Sequence, residues 1–282
     1  MRFSTILIKT KIGGARVNDS LAIAEVISKV AVQHGFRVIR DVADVVYPEN
    51  TVMIPIGGDG TVLHGAKEVI NHSIPIIGIN VGNLGFLTDL SPTQSDDSLN
   101  AFFQTLRNPT HLKEDKRTVL SVTIGGIQHM AMNDIVISDL YSDAIIEYEL
   151  IVGSSSAGKH KANSLILSTP TGSTAYAMFA GGAIIEPDLD VVEIIPVAAM
   201  SMTARPMIVH GSKTISVKIT NKPNRTLSIK ADGVSVPVDM PTDDKSLVID
   251  VTRMAQKVTL LHSAEWNFFD VLSNKLNWYN GK

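Results

Sequence analysis

Residues 51–65 constrain the fold more than any other stretch of this chain. They read Thr51-Val-Met-Ile-Pro-Ile-Gly-Gly-Asp-Gly-Thr-Val-Leu-His-Gly65. The apolar start, with its β-branched residues, is typical of a strand that is buried on both faces. After the glycines, the apolar spacing becomes helical from Thr61 to about Asn71. A strand that turns directly into a helix predicts an α/β fold, and it directs free backbone N–H groups and the positive helix end at one point. That point suits an anion such as phosphate.

The glycine turn itself supplies candidate binding residues. Gly57, Gly58 and Gly60 remove side chains that would block a phosphate, and Asp59 places one carboxylate beside it. His64 lies one helical turn beyond Gly60, where it either faces the phosphate or fills the helix surface. A Gly-Gly-Asp-Gly string is also compatible with an ordinary turn, but the strand before it and the helix after it favour phosphate binding.

Composition excludes several classes of protein. With 282 residues, 44% hydrophobic and 19% charged, the chain is expected to be a soluble globular protein of one large or two modest domains. A net charge of −3 argues against a nucleic-acid partner. The absence of cysteine excludes disulfides, thiolate zinc sites and a cysteine nucleophile. The eight histidines lack metal-site spacing, so no protein metal site is predicted. No segment resembles a signal peptide or a membrane span, which predicts a cytoplasmic protein without a membrane partner.

The first third of the chain follows a strand–helix rhythm. Apolar runs at 3–9, 36–40, 51–56 and 74–80 predict strands. Between the first two runs, helical spacing predicts a helix that begins after Asn18 or Asp19, either of which could be its N-cap, and ends near Gly35. Further helices are predicted after Thr61 and over residues 99–106. This alternation predicts a parallel sheet covered by helices, with residues 1–110 forming an α/β nucleotide-binding domain.

A second glycine-bearing loop follows the strand at 74–80. Its sequence is Asn80-Val-Gly-Asn-Leu-Gly-Phe-Leu-Thr-Asp89, and ligands of α/β sheets bind at this carboxyl end of the strands. Phe86 offers a ring beside that crevice. Spacing alone equally allows Phe86 to be a core side chain under the loop.

The pattern changes after His111. Short alternating runs separated by turn residues predict a mostly antiparallel β domain over residues 111–262. Residues 263–282 return to helical spacing, and we expect this tail to pack back on the first domain. Residues 153–160 have the Gly-x-x-x-x-Gly-Lys spacing of a P-loop, but His160 replaces the Ser or Thr and no helix follows. We therefore predict no P-loop there, although Lys159, His160 and Lys161 form a small basic group.

Two polar clusters stand out in this β domain. In the string Ser168-Thr-Pro-Thr-Gly-Ser-Thr-Ala-Tyr176, the seven residues 168–174 hold five hydroxyls, more than the one hydroxyl that a helix cap needs. Such a loop, including Thr171 and Ser173, suits ribose hydroxyls, amides and phosphates. The pair Asn133-Asp134 could hold a diol by donating and accepting hydrogen bonds. Taken alone, that pair is more typical of an ordinary turn.

Together these pieces resemble NAD kinases, in order and over nearly the whole chain. The motifs that carry the resemblance are Gly57-Gly-Asp-Gly-Thr61, residues 80–87, Asn133-Asp134, residues 168–176, Arg205-Pro206, Asp232-Gly233 and the tail around residues 268–278. The resemblance implies an α/β domain, a β-sandwich second domain, a cleft between them, and a homodimer or homotetramer. It also implies NAD as acceptor, ATP or polyphosphate as phosphoryl donor, and Mg²⁺ or another divalent cation.

The resemblance assigns roles to individual residues. Asp59 would accept the proton of the 2′-hydroxyl of the adenosine ribose of NAD. The remaining residues would bind parts of the nucleotides: phosphate by Gly57, Gly58, Gly60 and Thr61 with His64 nearby, adenine by Phe86, ribose hydroxyls by Asn133 and Asp134, adenosine by Thr174, Ala175 and Tyr176, and the nicotinamide end by Lys161 and Asn163.

Two positions depart from the family pattern. Asp134 stands where the family usually has Glu, which shortens the carboxylate arm by one methylene. Asn163 stands in place of the usual Asp, which removes a negative charge. Both changes lie at the dinucleotide end, so they affect the identity of the acceptor more than phosphoryl transfer. Two alternatives stay open from the sequence: a related kinase acting on a lipid or polyol hydroxyl, and a non-catalytic NAD or NADP sensor.

Overall fold

The buried run at Thr51–Gly57 is the central strand of a five-stranded parallel sheet in the computed structural model of the chain. The strands, in the spatial order β2-β1-β3-β4-β5, are β1 (Thr5–Thr10), β2 (Arg37–Arg40), β3 (Thr51–Gly57), β4 (Gly78–Asn80) and β5 (Thr88–Leu90). All seven residues of β3 are buried, as its uninterrupted apolar sequence predicts. The structure describes residues 3–13, 15–40, 46–82, 85–90, 96–124, 126–141, 144–220, 226–238 and 246–278.

Helices cover this sheet as the strand–helix rhythm predicted. The α-helices described within residues 3–107 are α1 (Val17–Gln33), α2 (Asp59–Val69) and α3 (Asp96–Arg107). Later in the chain lie α4 (Tyr176–Phe179) and α5 (Phe268–Leu276). The apolar faces of α1 and α3 share one hydrophobic core with the strands, through residues such as Ala24, Ile27 and Phe103.

The N-cap prediction for α1 was wrong. Arg16, and neither Asn18 nor Asp19, is the N-cap, in the left-handed region at φ 64°. Its carbonyl accepts the first helical hydrogen bond, from Ser20 N–H at 3.1 Å. Asp19 lies within the first turn, where its carboxylate complements the positive helix end.

The chain divides into two units, and the first is discontinuous. Unit 1 comprises Met1–Lys116 and Val258–Lys282, and unit 2 comprises Arg117–Lys257. The final helix α5 therefore belongs to the same unit as the parallel sheet, which confirms the expected return of the tail. Asn267 caps α5, since its side-chain oxygen accepts Phe269 N–H at 2.8 Å.

Unit 2 consists of two six-stranded antiparallel sheets around one core. The first sheet has the spatial order β11 (Ser155–Ala162), β10 (Ile146–Val152), β15 (Ile215–Ile219), β18 (Leu247–Arg253), β7 (Leu120–Ile124) and β8 (Ile127–Ala131). The second sheet has the order β14 (Met207–His210), β13 (Val191–Val197), β12 (Ser164–Ser168), β9 (Asp134–Asp139), β16 (Leu227–Ala231) and β17 (Val234–Val236). Inward-facing side chains of both sheets, among them Leu120, Tyr148, Leu167 and Ile229, form a single hydrophobic cluster. The predicted antiparallel β architecture is confirmed. Apart from these two sheets, β6 (Lys113–Arg117) pairs with β19 (Val258–His262).

Some of these strands were not expected from the sequence. Residues 130–137 form the end of β8 and most of β9, which are separated at Met132 and Asn133. The P-loop-like residues 153–160 lie mostly in β11, an edge strand whose side chains are almost all exposed. Because an edge strand of this kind has no buried face, it carries no apolar alternation to reveal it.

None of the helices in the described residues is both long and apolar enough to cross a bilayer.

Candidate functional site

Asp59 is the first residue of α2 and lies just beyond the carboxyl end of β3. The helix begins at Asp59, two residues earlier than predicted, with Gly58 as its N-cap. Phe86 N–H donates to Asp59 Oδ2 at 2.9 Å, and Leu87 N–H donates to Oδ1 at 3.0 Å. Both oxygens of the carboxylate are thus fixed by the backbone of the second glycine-bearing loop. The two motifs of the first domain form one site.

Gly85 allows that loop to reach Asp59. A Cβ atom added at Gly85 would overlap Asp59 Oδ1 and would lie 2.7 Å from Asp59 Cγ and 2.8 Å from Thr88 Oγ1. The same threonine hydroxyl accepts the N–H of Gly85 at 3.1 Å. The close approach of backbone to carboxylate therefore requires glycine at this position.

The glycines of the first motif have two different roles. An added Cβ at Gly57 would lie 2.8 Å from the Cβ of Thr61, so Gly57 makes room for a buried side chain of its own unit. At Gly58 and Gly60 an added Cβ would meet nothing within 4 Å. Open space is thus available for a ligand at Gly58 and Gly60, whereas at Gly57 it is occupied by Thr61.

A cavity of about 390 Å³ opens beside the start of α2. It is lined by Thr10, Lys11, Ile12, Gly58, Gly60, Thr61 and His64. The sequence reasoning missed Lys11, whose position just beyond β1 could have identified it because β1 and β3 are neighbours in the sheet. Lys11 N–H donates to Ser20 Oγ at 3.1 Å, and Ser20 Oγ donates to the Ile56 carbonyl at 2.6 Å. These bonds hold the loop after β1 against the strand that precedes the glycines.

His64 faces this cavity and also contacts an acidic neighbour on its own helix. His64 Nδ1 lies 3.3 Å from Glu68 Oε1, and Lys9 Nζ lies 2.6 Å from the same oxygen. Glu68 thereby links β1 to α2 next to the cavity. His64 thus lines the cavity and at the same time contacts a neighbour on the surface of its own helix.

Phe86 is half-buried and does not belong to the core under the loop. Lys275 Nζ of α5 lies 5.7 Å from the centre of its ring, within the range of a cation–π contact. Asn83 and Leu84, the middle of the predicted loop motif, lie outside the described residues.

The hydroxyl-rich loop follows β12 in unit 2, and most of its hydroxyls bond to the protein itself. Thr169 Oγ1 donates to the Met132 carbonyl at 2.5 Å. Ser173 Oγ donates to the Pro170 carbonyl at 2.7 Å and accepts Ile185 N–H at 3.0 Å. This internal bonding explains why the loop needs more hydroxyls than a helix cap would.

Arg117 supports this loop from the interior and was missed from the sequence. It is 2% exposed, and its Nη1 donates to Thr171 Oγ1 at 3.2 Å. A buried arginine needs polar partners, so its presence at the end of β6 indicates a polar interior at this place. A single arginine among strand residues gave no such signal in the sequence.

Three residues at the end of the loop remain accessible. Thr174 and Ala175 are half-exposed and Tyr176 is exposed. They form the face of the loop that a ligand could touch.

The pair Asn133-Asp134 lies directly against the hydroxyl-rich loop. The Asn133 carbonyl accepts Thr169 N–H at 2.9 Å, and a Cβ added at Gly172 would lie 2.6 Å from the Asn133 carbonyl carbon. Asn133 is half-exposed and Asp134 is buried. Two sequence-distant candidates of unit 2 are thus brought together.

Lys161 and Asn163 lie at the end of β11, on another part of unit 2. Lys161 Nζ is 3.2 Å from Glu147 Oε1, and the Lys161 carbonyl accepts Met200 N–H at 2.9 Å. Lys161 also lines a cavity of about 370 Å³ together with Met200 and its neighbours. Asn163 N–H donates to the Val197 carbonyl at 3.0 Å.

Within the described parts of the chain, no group of three or more His, Cys, Asp or Glu side chains is arranged to hold a metal ion.

The chain is similar to known proteins along most of its length. Residues 5–106 match the ATP-NAD kinase N-terminal domain, and residues 132–260 match the ATP-NAD kinase C-terminal domain. An NAD kinase of Pseudomonas putida is 33% identical over 264 residues, covering 91% of this chain and 83% of the relative. An NAD kinase of Methylococcus capsulatus is 29% identical over 293 residues, covering 99% of each chain.

Solved structures share the fold. Yeast NADH kinase complexed with NADH superposes with a TM-score of 0.78 at 23% identity, covering 100% of this chain and 89% of the other. An NAD kinase from Archaeoglobus fulgidus in complex with ATP gives a TM-score of 0.70 at 22% identity, covering 97% and 98%. The two matched domains and the identity to NAD kinases over most of its length show that this chain belongs to the NAD kinase family.

Proposed function

We propose that this protein transfers the γ-phosphoryl group of ATP to the 2′-hydroxyl of the adenosine ribose of NAD, giving NADP and ADP. The observation that carries the proposal is the fixed carboxylate of Asp59, which sits at a helix N-terminus beside a cavity and accepts Phe86 and Leu87 N–H groups. Membership of the NAD kinase family supports the choice of substrates.

Asp59 has the position that an acceptor-orienting group requires. Each carboxylate oxygen that accepts one backbone N–H retains a second lone-pair direction for the ribose hydroxyl. A carboxylate is in general a poor base for a ribose hydroxyl. Phosphoryl transfer tolerates a weak base, since the transition state is loose and the nucleophile loses its proton late. We assign Asp59 to orienting the 2′-hydroxyl and taking its proton as the O–P bond forms.

The cavity beside α2 is the proposed phosphate site of unit 1. Backbone N–H groups at Gly58 and Gly60, with Thr61, Lys11 and His64, surround space that a nucleotide phosphate can occupy. Gly57 contributes indirectly by making room for Thr61.

We also propose a divalent cation such as Mg²⁺ that arrives with ATP. In nucleotide sites Mg²⁺ is usually held by one or two carboxylates together with substrate phosphates, and Asp59 supplies a carboxylate at this place. Bound there, the ion would neutralise charge on the transferred phosphoryl group.

Unit 2 is proposed to bind the dinucleotide through its accessible polar groups. Asn133 and Asp134 would hold ribose hydroxyls, and the accessible residues 174–176 would contact adenosine. Thr171 and Ser173, which are buried and bonded within the unit, would position that loop. Lys161 and Asn163 are assigned to the nicotinamide end.

The proposed homodimer or homotetramer and the proposed cytoplasmic location rest mainly on the family resemblance. Sedimentation of the purified protein at several concentrations would test the assembly.

Substituting the catalytic carboxylate tests the proposal. Asp59→Asn should lower kcat for NADP formation by about 10²-fold or more while NAD still binds, because general-base catalysis supplies that order of acceleration. Asp139→Asn is the matched control: Asp139 Oδ1 also accepts a backbone N–H, that of Tyr141 at 3.0 Å, and Asp139 lies outside the proposed site. Near-normal turnover of Asp59→Asn would refute the assignment. A parallel assay with polyphosphate in place of ATP, and with lipid or polyol acceptors in place of NAD, would identify the donor and acceptor.

A further inference from the structure

Asp232 makes an unusual set of contacts beside the candidate site of unit 2. Its Oδ2 accepts Met132 N–H at 3.0 Å, and its Oδ1 accepts Asn133 N–H at 2.7 Å and Asp134 N–H at 3.3 Å. Asp232 N–H in turn donates to the Asp134 carbonyl at 3.0 Å. One carboxylate, almost a hundred residues away in the sequence, therefore binds three consecutive backbone amides at the start of β9.

A turn requirement explains the residue type only in part. Asp232 and Gly233 have φ values of 50° and 76° and join β16 to β17, as in a two-residue hairpin with both central residues left-handed. Asn-Gly satisfies such a turn at least as well as Asp-Gly. The turn alone therefore does not require a carboxylate, whereas three N–H donors converging on one side chain do.

The same segment is held from its other side by the hydroxyl-rich loop. The Met132 carbonyl accepts Thr169 Oγ1, and the Asn133 carbonyl accepts Thr169 N–H. The N–H groups of residues 132–134 thus bond to Asp232, while two of their carbonyl groups bond to Thr169. Hydrogen bonds on both sides therefore restrain the backbone where the chain enters β9.

We propose that Asp232 is a positioning residue that pre-orders Asn133 and Asp134 for the dinucleotide. The inference rests on the proposed function, since it takes Asn133 and Asp134 as NAD-binding residues. A diol is bound by an amide and a carboxylate only if both have the correct direction, and that direction follows from the backbone of residues 132–134. Asp232 acts through this backbone and needs no contact with the ligand.

The test compares NAD binding by Asp232→Asn and the wild-type full chain. Asparagine preserves the turn preference but replaces one acceptor oxygen by an NH₂ group. This group is itself a donor and cannot accept a hydrogen bond from a backbone N–H. The Kd for NAD, measured by calorimetry, should rise about tenfold or more, on the scale of one lost charge-assisted hydrogen bond. The Kd for ATP should stay within about twofold, because unit 1 carries the proposed phosphate site. Binding of NAD by Asp232→Asn at the wild-type Kd would overturn the inference.

A matched control separates positioning from general stability. Asp250→Asn removes a carboxylate that accepts Ser216 Oγ from the neighbouring strand, in the sheet of unit 2 that does not contain β9. This variant should leave the Kd for NAD unchanged at a similar melting temperature. If Asp250→Asn weakens NAD binding as much as Asp232→Asn does, the effect is one of stability and the inference is wrong. A wild-type protein that binds NAD but forms no NADP would refute the proposed kinase activity and still leave this comparison readable. A wild-type protein that binds no NAD would refute both.

Amide hydrogen exchange provides a second reading that needs no variant. In the wild-type protein without NAD, the amides of Met132, Asn133 and Asp134 should already be protected and should change little on adding NAD. Fast exchange of these amides that slows only with NAD would show that the ligand, and not Asp232, orders the segment.

Discussion

Replacing Gly85 by alanine changes a residue that touches no proposed substrate, yet it should impair catalysis. The added methyl group would lie 2.7 Å from Asp59 Cγ and 2.8 Å from Thr88 Oγ1, whereas carbon atoms in ordinary contact are separated by about 3.5–4.0 Å. The carboxylate must therefore retreat by about 1 Å, which also weakens its bonds from Phe86 and Leu87 N–H. Misplacement of a reacting group by about 1 Å can lower the rate by about 10²-fold.

The assay is NADP formation from NAD and ATP, followed with an NADP-specific dehydrogenase. We expect kcat of Gly85→Ala to fall by about 10²-fold, with a much smaller change in the Kd for NAD. Crowding a well-packed site costs typically 1–3 kcal/mol, so the melting temperature must be recorded alongside.

The control is a similar collision that involves a carboxylate outside the proposed site. A Cβ added at Gly211 would crowd Asp190 in unit 2, lying 3.2 Å from its Cγ and overlapping Oδ1. Gly211→Ala should reduce stability by a comparable amount and leave kcat unchanged. A folded Gly85→Ala protein with wild-type kcat would show that the position of Asp59 does not limit the reaction, and the reasoning would fail.

Three further substitutions test other parts of the structure. Burial raises the pKa of the Glu193 carboxyl above its ordinary value, although the N–H that Ala183 donates to it acts in the opposite direction. The protonated carboxyl therefore contributes stability to the fold at low pH, and this contribution is lost as the pH rises through the raised pKa. The free energy of unfolding of Glu193→Gln should therefore increase relative to that of the wild type as the pH rises from about 4.5. If urea unfolding gives the same difference between the two proteins at low and at high pH, this prediction is wrong. Asn267→Ala removes the cap of α5 and should lower the free energy of unfolding by about 1 kcal/mol, with unchanged stability as the opposing outcome. Gly60→Ala adds a methyl group in open space; it should preserve stability but raise KM for NAD or ATP about tenfold, and two unchanged KM values would exclude a ligand there.

The architecture of both units was accessible from the sequence because it follows from hydrophobic periodicity. The run at Thr51–Gly57 is uniformly apolar and is uniformly buried, and the alternating runs after His111 form antiparallel sheets. The strand β11 was not predicted because its side chains are almost all exposed, and a hydrophobic pattern indicates only strands that have a buried face.

The candidate site was only partly accessible from the sequence, since motifs name residues but not their partners. Asp59 could be singled out, but its bonds from Phe86 and Leu87 join residues more than 25 positions apart, which no local pattern encodes. The hydroxyls around Thr171 and Ser173 looked like ligand contacts because composition does not show direction, and in the structure they bond to Arg117 and to backbone.

The discontinuity of unit 1 has a consequence for the order of events during synthesis. Leu261 belongs to the core of unit 1, and Leu261 N–H donates to the Ile76 carbonyl at 2.8 Å, so the parallel-sheet core waits for a segment translated almost two hundred residues later. Residues 117–257 are contiguous and leave the ribosome before that segment does. Since domains generally fold as units while the chain is made, the β sandwich should reach its native state on the nascent polypeptide first. The unit with the parallel sheet, although its first strand precedes the β sandwich in the chain, should finish last.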